Sequence, residues 1–252
     1  MLETLACLKR RHIDTQSVIL NTGSELIHPT PVELLLGFQV DQNLGFSNFL
    51  ISGKDSVINS LGKRIGALKS IAKVANFKTS LVTRLSVCSS LVISRILYML
   101  PLYGGAPEYM LKALQKKQCE AMRIVTRRKW EVLGKRMTST KELLRQCNYL
   151  SVRQMVYFYS VATVHKTMEN KMPEYLHEVL CKALSSGVKH RYPTSKAGTR
   201  LVAEAKLTVA NSSFRWRAAT QYAALPDNLK NEQSMKSFLK ELRKHTIENL
   251  DI

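Results

Sequence analysis

LLLGFQVDQNLGF, residues 34–46, is an apolar run rich in Leu and Phe that carries one carboxylate, Asp41. Aliphatic and aromatic side chains followed by Asp, Gln, Asn and Gly spell a strand and then a turn. The strand reaches back to Val32 as VELLLGFQV (32–40), with Gly37 marking a bulge or a close backbone approach. Asp41 then serves the turn that follows the strand. Upstream, TQSVIL (15–20) alternates loosely and NTGSE (21–25) has turn chemistry. Pro29 and Pro31 bracket a second break. Such short strands cannot bury themselves, and little beyond them reads as strand.

Downstream the periodicity changes to that of helices. In DSVINSLGKRIGALKSIAKVA (55–75), Val57, Ile58, Leu61, Ile65, Leu68, Ile71 and Val74 form one stripe, and Asp55 is a candidate N-cap. Lys63, Arg64, Lys69 and Lys73 fall mostly off that stripe. KTSLVTRLSVCSSLVISRILYMLPLYGG (78–105) is apolar nearly all round and reads as one buried helix, ended by Pro101 and Gly104–Gly105. PEYMLKALQKKQCEAMRIVTRRKW (107–130) starts on Pro107 and turns Met110, Leu111, Leu114, Met122 and Val125 inward. Lys112, Lys116, Lys117, Arg123, Arg127, Arg128 and Lys129 make it the most basic element. Thr138 or Ser139 with Glu142 opens a helix over 138–150 in a capping-box pattern. Further helices are expected at 151–170, 173–184, 212–225 and 232–250, with a basic Ser/Gly-rich loop, and one strand at most, over 185–212. The expected fold class is mainly α with a small N-terminal β element. It divides into a β-rich region (1–50), a basic helical region (51–137) and a C-terminal helical region (138–252).

Apolar residues make up 45% of the 252-residue chain and charged ones 23%, so a sizeable core is expected and disorder is not. The formal net charge is +19. Residues 1–50 hold 3 basic and 5 acidic side chains, a net −2; residues 51–137 hold 17 and 4, a net +13; residues 138–252 hold 18 and 10, a net +8. So large an excess, concentrated on folded elements, points to a polyanionic partner. Five dispersed cysteines fit neither a zinc site nor a disulfide framework, and an odd count suggests a reducing, intracellular compartment, nuclear or cytoplasmic. The most apolar region, 85–107, is interrupted by Arg95, so no membrane partner is expected.

No catalytic constellation emerges. There is no Asp-Asp or Glu-Glu pair for two-metal chemistry. His177-Glu-Val-Leu-Cys181 departs from a zinc-binding helix by placing Cys where the second His belongs. Gly53-Lys54-Asp55 lacks the Ser or Thr and the upstream Gly of a phosphate loop. No metal, cofactor or small-molecule substrate is expected. Backbone contact with nucleic acid needs no motif, only Lys and Arg on folded elements. Candidate contacts are Lys63, Arg64, Lys69, Lys73, Lys112, Lys116, Lys117, Arg123, Arg127, Arg128 and Arg215. Trp216, between Arg215 and Arg217, is a candidate for base stacking, whereas Tyr157 and Tyr159 are expected to pack in the core.

Read in order, LLGFQVDQNLGF (35–46), KRIGALKSIAKVANFKTSLVT (63–83), ISRILYMLPLYGG (93–105), LQKKQCEAMRIVT (114–126), LLRQCNYLSVRQ (143–154) and SFRWRAATQYAALPDNLK (213–230) resemble the C-terminal part of non-LTR retrotransposon reverse transcriptases of the jockey-like kind. The resemblance covers most of the chain from about residue 15. It implies that residues 1–46 are the tail of a palm and that the helices after them are a thumb-like bundle and downstream region facing a template–primer duplex. Leu36, Gly37 and Asp41 fall on the family's strand and turn near the primer-holding part of the palm. The family's catalytic aspartates have no counterpart here, so the resemblance implies an RNA-directed DNA polymerase fragment that binds nucleic acid but is inactive alone. Departures are Leu35 for the usual Lys, Cys119 for the usual Asn, Cys147-Asn148-Tyr149-Leu150-Ser151 for a Cys-Gly-Trp-Leu-Ser phrase, and Ala223 for the Asn before x-Leu-Pro. They suggest a degenerate or truncated copy. On the residues alone, a helical protein-interaction scaffold with incidental charge is the alternative.

Overall fold

A computed structural model describes residues 20–21, 26–27, 30, 32–41, 45–74, 80–126, 139–185, 213–232 and 234–250, the backbone alone at 20, 21, 26, 27, 74 and 185. The fold is mainly helical with small antiparallel β pairs at the front. Strand β1 (Leu20–Asn21) pairs with β2 (Leu26–Ile27), and β3 (Val32–Leu35) pairs with β4 (Phe38–Asp41). The strand expected over 32–40 is therefore two strands, not one. Leu35 faces Phe38 across a two-residue loop in which Leu36 and Gly37 have φ of 50° and 76°. Positive φ at both positions is the hairpin turn whose twist matches that of strands, so Gly37 turns the chain rather than bulging it. The tip is tied down by the Tyr98 hydroxyl, which donates to the Leu36 carbonyl. Asp41 does serve the following turn, accepting from the Gly45 amide at 2.7 Å.

A π-helical turn (Asn48–Ser52) leads into α1 (Val57–Val74). Helix α2 (Leu81–Cys88) starts on Ser80, whose hydroxyl accepts from the Thr83 amide. It continues through a π segment (Ser89–Ile93) into α3 (Ser94–Leu97). The single buried helix expected over 78–105 is thus not found among the described residues. Ser90 and Ser94 hydroxyls donate back to the carbonyls of Ser86 and Ser90, local bonds that widen and bend a helix. The chain then breaks at Met99, in the left-handed region at φ 59°. Pro101 lies in the first turn of α4 (Leu100–Tyr103), where its missing N–H leaves no bond unmade. Nor is this stretch buried all round, since Val82 is 73% exposed and Leu102 46%.

Helix α5 (Glu108–Thr126) buries Met110, Leu111, Leu114, Met122 and Val125, as its spacing predicts. Helix α6 (Thr140–Cys147) takes Ser139 as its cap, accepting from the Glu142 amide. Helix α7 (Val152–Asn170) starts with a full capping box between Ser151 and Gln154. Then come α8 (Glu174–Ser185), α9 (Phe214–Ala223), α10 (Asp227–Lys230) and α11 (Met235–Asn249). The expected features at 15–19, 22–25 and 186–212 lie outside the described residues.

The largest buried cluster runs from Phe38 through α1–α6 to Val156, crossing residues 50 and 137, where charge divides the chain. An aromatic line ties the hairpin into it. Phe38 lies 4.3 Å from Phe49 between ring centres, and Phe49 lies 5.8 Å from Tyr103. Phe49 is 2% exposed. Phe49→Ala removes the middle ring and leaves a cavity; we expect a loss of about 3–5 kcal/mol, read as a lower urea midpoint, with Phe49→Leu losing clearly less.

A second core joins α7, α9 and α11 around His165. Its ring stacks on Phe238 with centres 3.6 Å apart, and Nδ1 lies 3.2 Å from the Tyr222 hydroxyl. Burial lowers the imidazole pKa, opposed in part by the charge of Glu169 and by Glu232. The folded state therefore favours the neutral ring. Its contribution is complete above the free value of ~6.5 and is lost as pH falls below that, where unfolding takes up a proton. Urea midpoints measured from pH 8 downwards fall more steeply below about pH 6.5 in the parent than in His165→Gln.

Candidate nucleic-acid interface

Helix α5 is two-faced. Opposite its buried stripe, Lys112, Lys116 and Arg123 stand at i, i+4 and i+11, which a period of ~3.6 residues places on one line. Lys112 and Lys116 are exposed and Arg123 is half-buried. Tyr109, three residues before Lys112 on the same line, is 61% exposed. Sequence reading missed Tyr109, although its i+3 and i+7 spacing to Lys112 and Lys116 is the signal that finds it. The line is ~20 Å long from Tyr109 to Arg123 at ~1.5 Å per residue.

Helix α1 packs beside α5. Its buried stripe is Val57, Leu61, Ile65 and Leu68. Lys69 projects on the side that meets α5, its ammonium reaching Glu120 of α5 at 2.8 Å, and the helical period puts exposed Lys73, four residues on, along the same edge of α1. Lys117 reaches the other oxygen of the same carboxylate at 3.1 Å. These bonds hold the Glu120 carboxyl below the usual carboxylate range, the Lys69 bond contributing most, while partial burial works against them.

The other two α1 candidates leave by a different side. Arg64 Nη1 donates to the Leu91 carbonyl of the π segment at 3.0 Å. The ~3.6-residue period puts Lys63 off the Lys69–Lys73 edge as well. The four basic residues of α1 thus do not form one surface: Lys69 and Lys73 join the α5 line, whereas Arg64 is a brace.

Arg215 and Trp216 lie on α9, which packs on α7, α8 and α4 and so belongs to a different layer. Both are half-buried, with the Arg215 guanidinium 5.1 Å from the Trp216 ring centre. Their neighbour Arg217 is structural. Its Nη1 donates to Ser160 Oγ at 3.0 Å, its Nη2 donates to the Pro101 carbonyl, and burial lowers its pKa to about 10. Gly104 leaves room for it, since a Cβ there would lie 3.0 Å from Nη1 and 2.5 Å from Val156. Arg127 and Arg128 lie outside the described residues. Tyr157 is half-buried and stacks near His245, but Tyr159 is 37% exposed, not the core residue its spacing suggested.

Elsewhere, His177 and Cys181 lie 3.5 Å apart on α8. No group of three or more His, Cys, Asp or Glu that could hold a metal occurs among the described residues. No helix among them is long and apolar enough to cross a membrane. A cleft of about 550 Å³ opens beside Gly104–Gly105, with Arg153, Arg217 and Gln221 in its wall. Comparison with protein-family models, curated proteins and solved structures finds no match for the chain.

The bond from Arg64 gives a first test. Arg64→Met removes a side-chain donor from the half-buried Leu91 carbonyl, and we expect about 1–2 kcal/mol less stability in urea. Lys112→Met, on the open face, is expected to stay within about 0.5 kcal/mol of the parent.

Proposed function

We propose that the chain is a thumb-side portion of a jockey-like non-LTR retrotransposon reverse transcriptase that binds the nucleic-acid backbone without sequence preference and does not polymerise by itself. The carrying observation is the line Tyr109–Lys112–Lys116–Arg123, exposed at its first three residues and flanked by Lys69 and Lys73, on the back of a helix whose other face is core. Ammonium and guanidinium groups in this arrangement meet phosphates along a groove edge. A duplex carries about one charge per ~1.7 Å of axis, so a ~20 Å line lies against far more phosphates than it has cations. Tyr109 adds an exposed ring for a sugar or an unpaired base.

The order of the family-like phrases supports the same origin, and two of the phrases meet in space. Gln118 of LQKKQ donates to the Leu150 carbonyl at 2.8 Å, and Gln115 accepts from the Val152 amide at 2.8 Å, both in the phrase that contains Leu150-Ser151. Two polar pins of this kind, Gln118 buried and Gln115 half-buried, demand their partners, which gives a physical reason for the phrases to occur together.

Fluorescence anisotropy with a mixed-sequence duplex tests the binding. Four contacts, from Lys73, Lys112, Lys116 and Arg123, give a log–log salt slope of about −3 to −4 on B-form DNA. Lys112→Glu with Lys116→Glu flattens that slope and weakens binding alike on unrelated sequences, while Arg64→Met barely moves it. A flat salt curve for the parent overturns the proposal and favours the interaction scaffold. Primer extension on an RNA template in Mg²⁺ is expected to give no product.

A further inference from the structure

Glu120 opposes the charge of this surface. It stands four residues after Lys116 and three before Arg123, beside the basic line. Its two oxygens take different partners, Oε1 the Lys69 ammonium at 2.8 Å and Oε2 the Lys117 ammonium at 3.1 Å. Lys69 and Glu120 are 51 residues apart in sequence. Two ammonium groups from two helices are thus aimed at one anionic group, the arrangement a backbone phosphate would meet.

The side chains of Lys69, Glu120 and Lys117 are 57%, 37% and 31% exposed. Ion pairs this open contribute little to stability, so the carboxylate can be exchanged for another anion at small cost. While it stays, it neutralises cations that the binding surface would otherwise present, and it repels an approaching phosphate.

We propose that Glu120 is a built-in competitor for nucleic-acid phosphate: in the complex, one backbone phosphate takes the place of its carboxylate between Lys69 and Lys117. This rests on the nucleic-acid reading of the α1–α5 surface. It makes the Lys69–Glu120–Lys117 bridge an autoinhibitory contact that lowers affinity until a polyanion opens it. It also predicts that the two lysines act through the bridge and not independently of it.

The test is duplex affinity by anisotropy across a salt series for the full chain, with urea midpoints to show that each variant is folded. Glu120→Gln keeps the shape of the side chain and removes its charge. It is expected to bind roughly three- to tenfold tighter at low salt, with a log–log slope steeper by at most about 0.9, because one negative charge no longer offsets the cations that meet the same phosphate. Glu120→Ala shifts affinity in the same direction. Glu178→Gln makes the same change in net charge at an exposed pair on α8 and is expected to shift affinity less than about twofold. Lys117→Met is expected to weaken binding more in the Glu120→Gln background than in the parent, where it also removes one partner of the competing carboxylate, and to cancel most of the Glu120→Gln gain. The proposal is overturned if Glu120→Gln gains no more than Glu178→Gln, or if Lys117→Met costs the same in both backgrounds. If the parent and Glu120→Gln both fail to bind duplex, the nucleic-acid reading falls instead, and this proposal with it.

Discussion

The packing of α5 sets the rest of the fold. Leu114, Ala121, Met122 and Val125 on one face are fully buried, and the helix packs against α1, α2, α6 and α7. Apolar burial of that kind supplies driving force without direction. Direction comes from Gln115 and Gln118, whose bonds to Val152 and Leu150 fix where α7 begins. A buried amide left unpaired costs more than its bond gains, so the two glutamines specify one register between α5 and α7 more than they stabilise it. Every other described helix is placed by contact with this pair or with something packed on it.

The stretch from α2 to α4 shows an apolar sequence bent twice, once among serines and once where Pro101 cannot bond the Leu97 carbonyl. Hydroxyls of Ser90, within the π segment, and Ser94, just after it, compete for carbonyls, and Met99 takes a left-handed conformation. The bends bring Tyr103 into the core and aim its hydroxyl at the Ile96 carbonyl. They also carry Tyr98 out to hold the Leu36 carbonyl at the hairpin tip. A straight helix over the same residues could not serve both. Arg64 completes the bend from α1 by taking the Leu91 carbonyl inside the π segment. A basic side chain is used there for its reach and its donors, not for its charge.

These cases mark what is legible in the sequence. Helices α1, α5 and α6 are legible because an amphipathic stripe decides each of them, with Ser139 capping α6 as its sequence spells; α1 starts on Ser56, whose hydroxyl accepts from the Asn59 amide, and not on the expected Asp55. The hairpin at Leu36–Gly37 is not, because nothing local says that a Leu will accept positive φ; the Tyr98 bond from 62 residues away holds it. The basic line on α5 follows from period alone. What period cannot say is which side of α1 faces it. Lys63, Arg64, Lys69 and Lys73 look alike in sequence, yet the rotation of α1, set by Leu61, Ile65 and Leu68, sends Lys69 to Glu120 and Arg64 to Leu91. Tyr109 is lost for the opposite reason: an aromatic in an amphipathic helix reads as core until its angle is compared with that of the lysines.

A surface built this way has no independent existence. Lys69 and Glu120 are brought together across 51 residues by apolar packing alone, because their own ion pair is too exposed to hold two helices in place. The charges therefore report the core beneath them: a change that rotated α1 by one residue step, ~100°, would carry Lys69 and Lys73 off the α5 line while leaving composition and net charge untouched. Net charge would attract a polyanion from a distance. In the proposed complex, the phosphates that meet these cations are chosen by Leu61, Ile65 and Leu68 on one helix and Leu114 and Met122 on the other, none of which carries a charge.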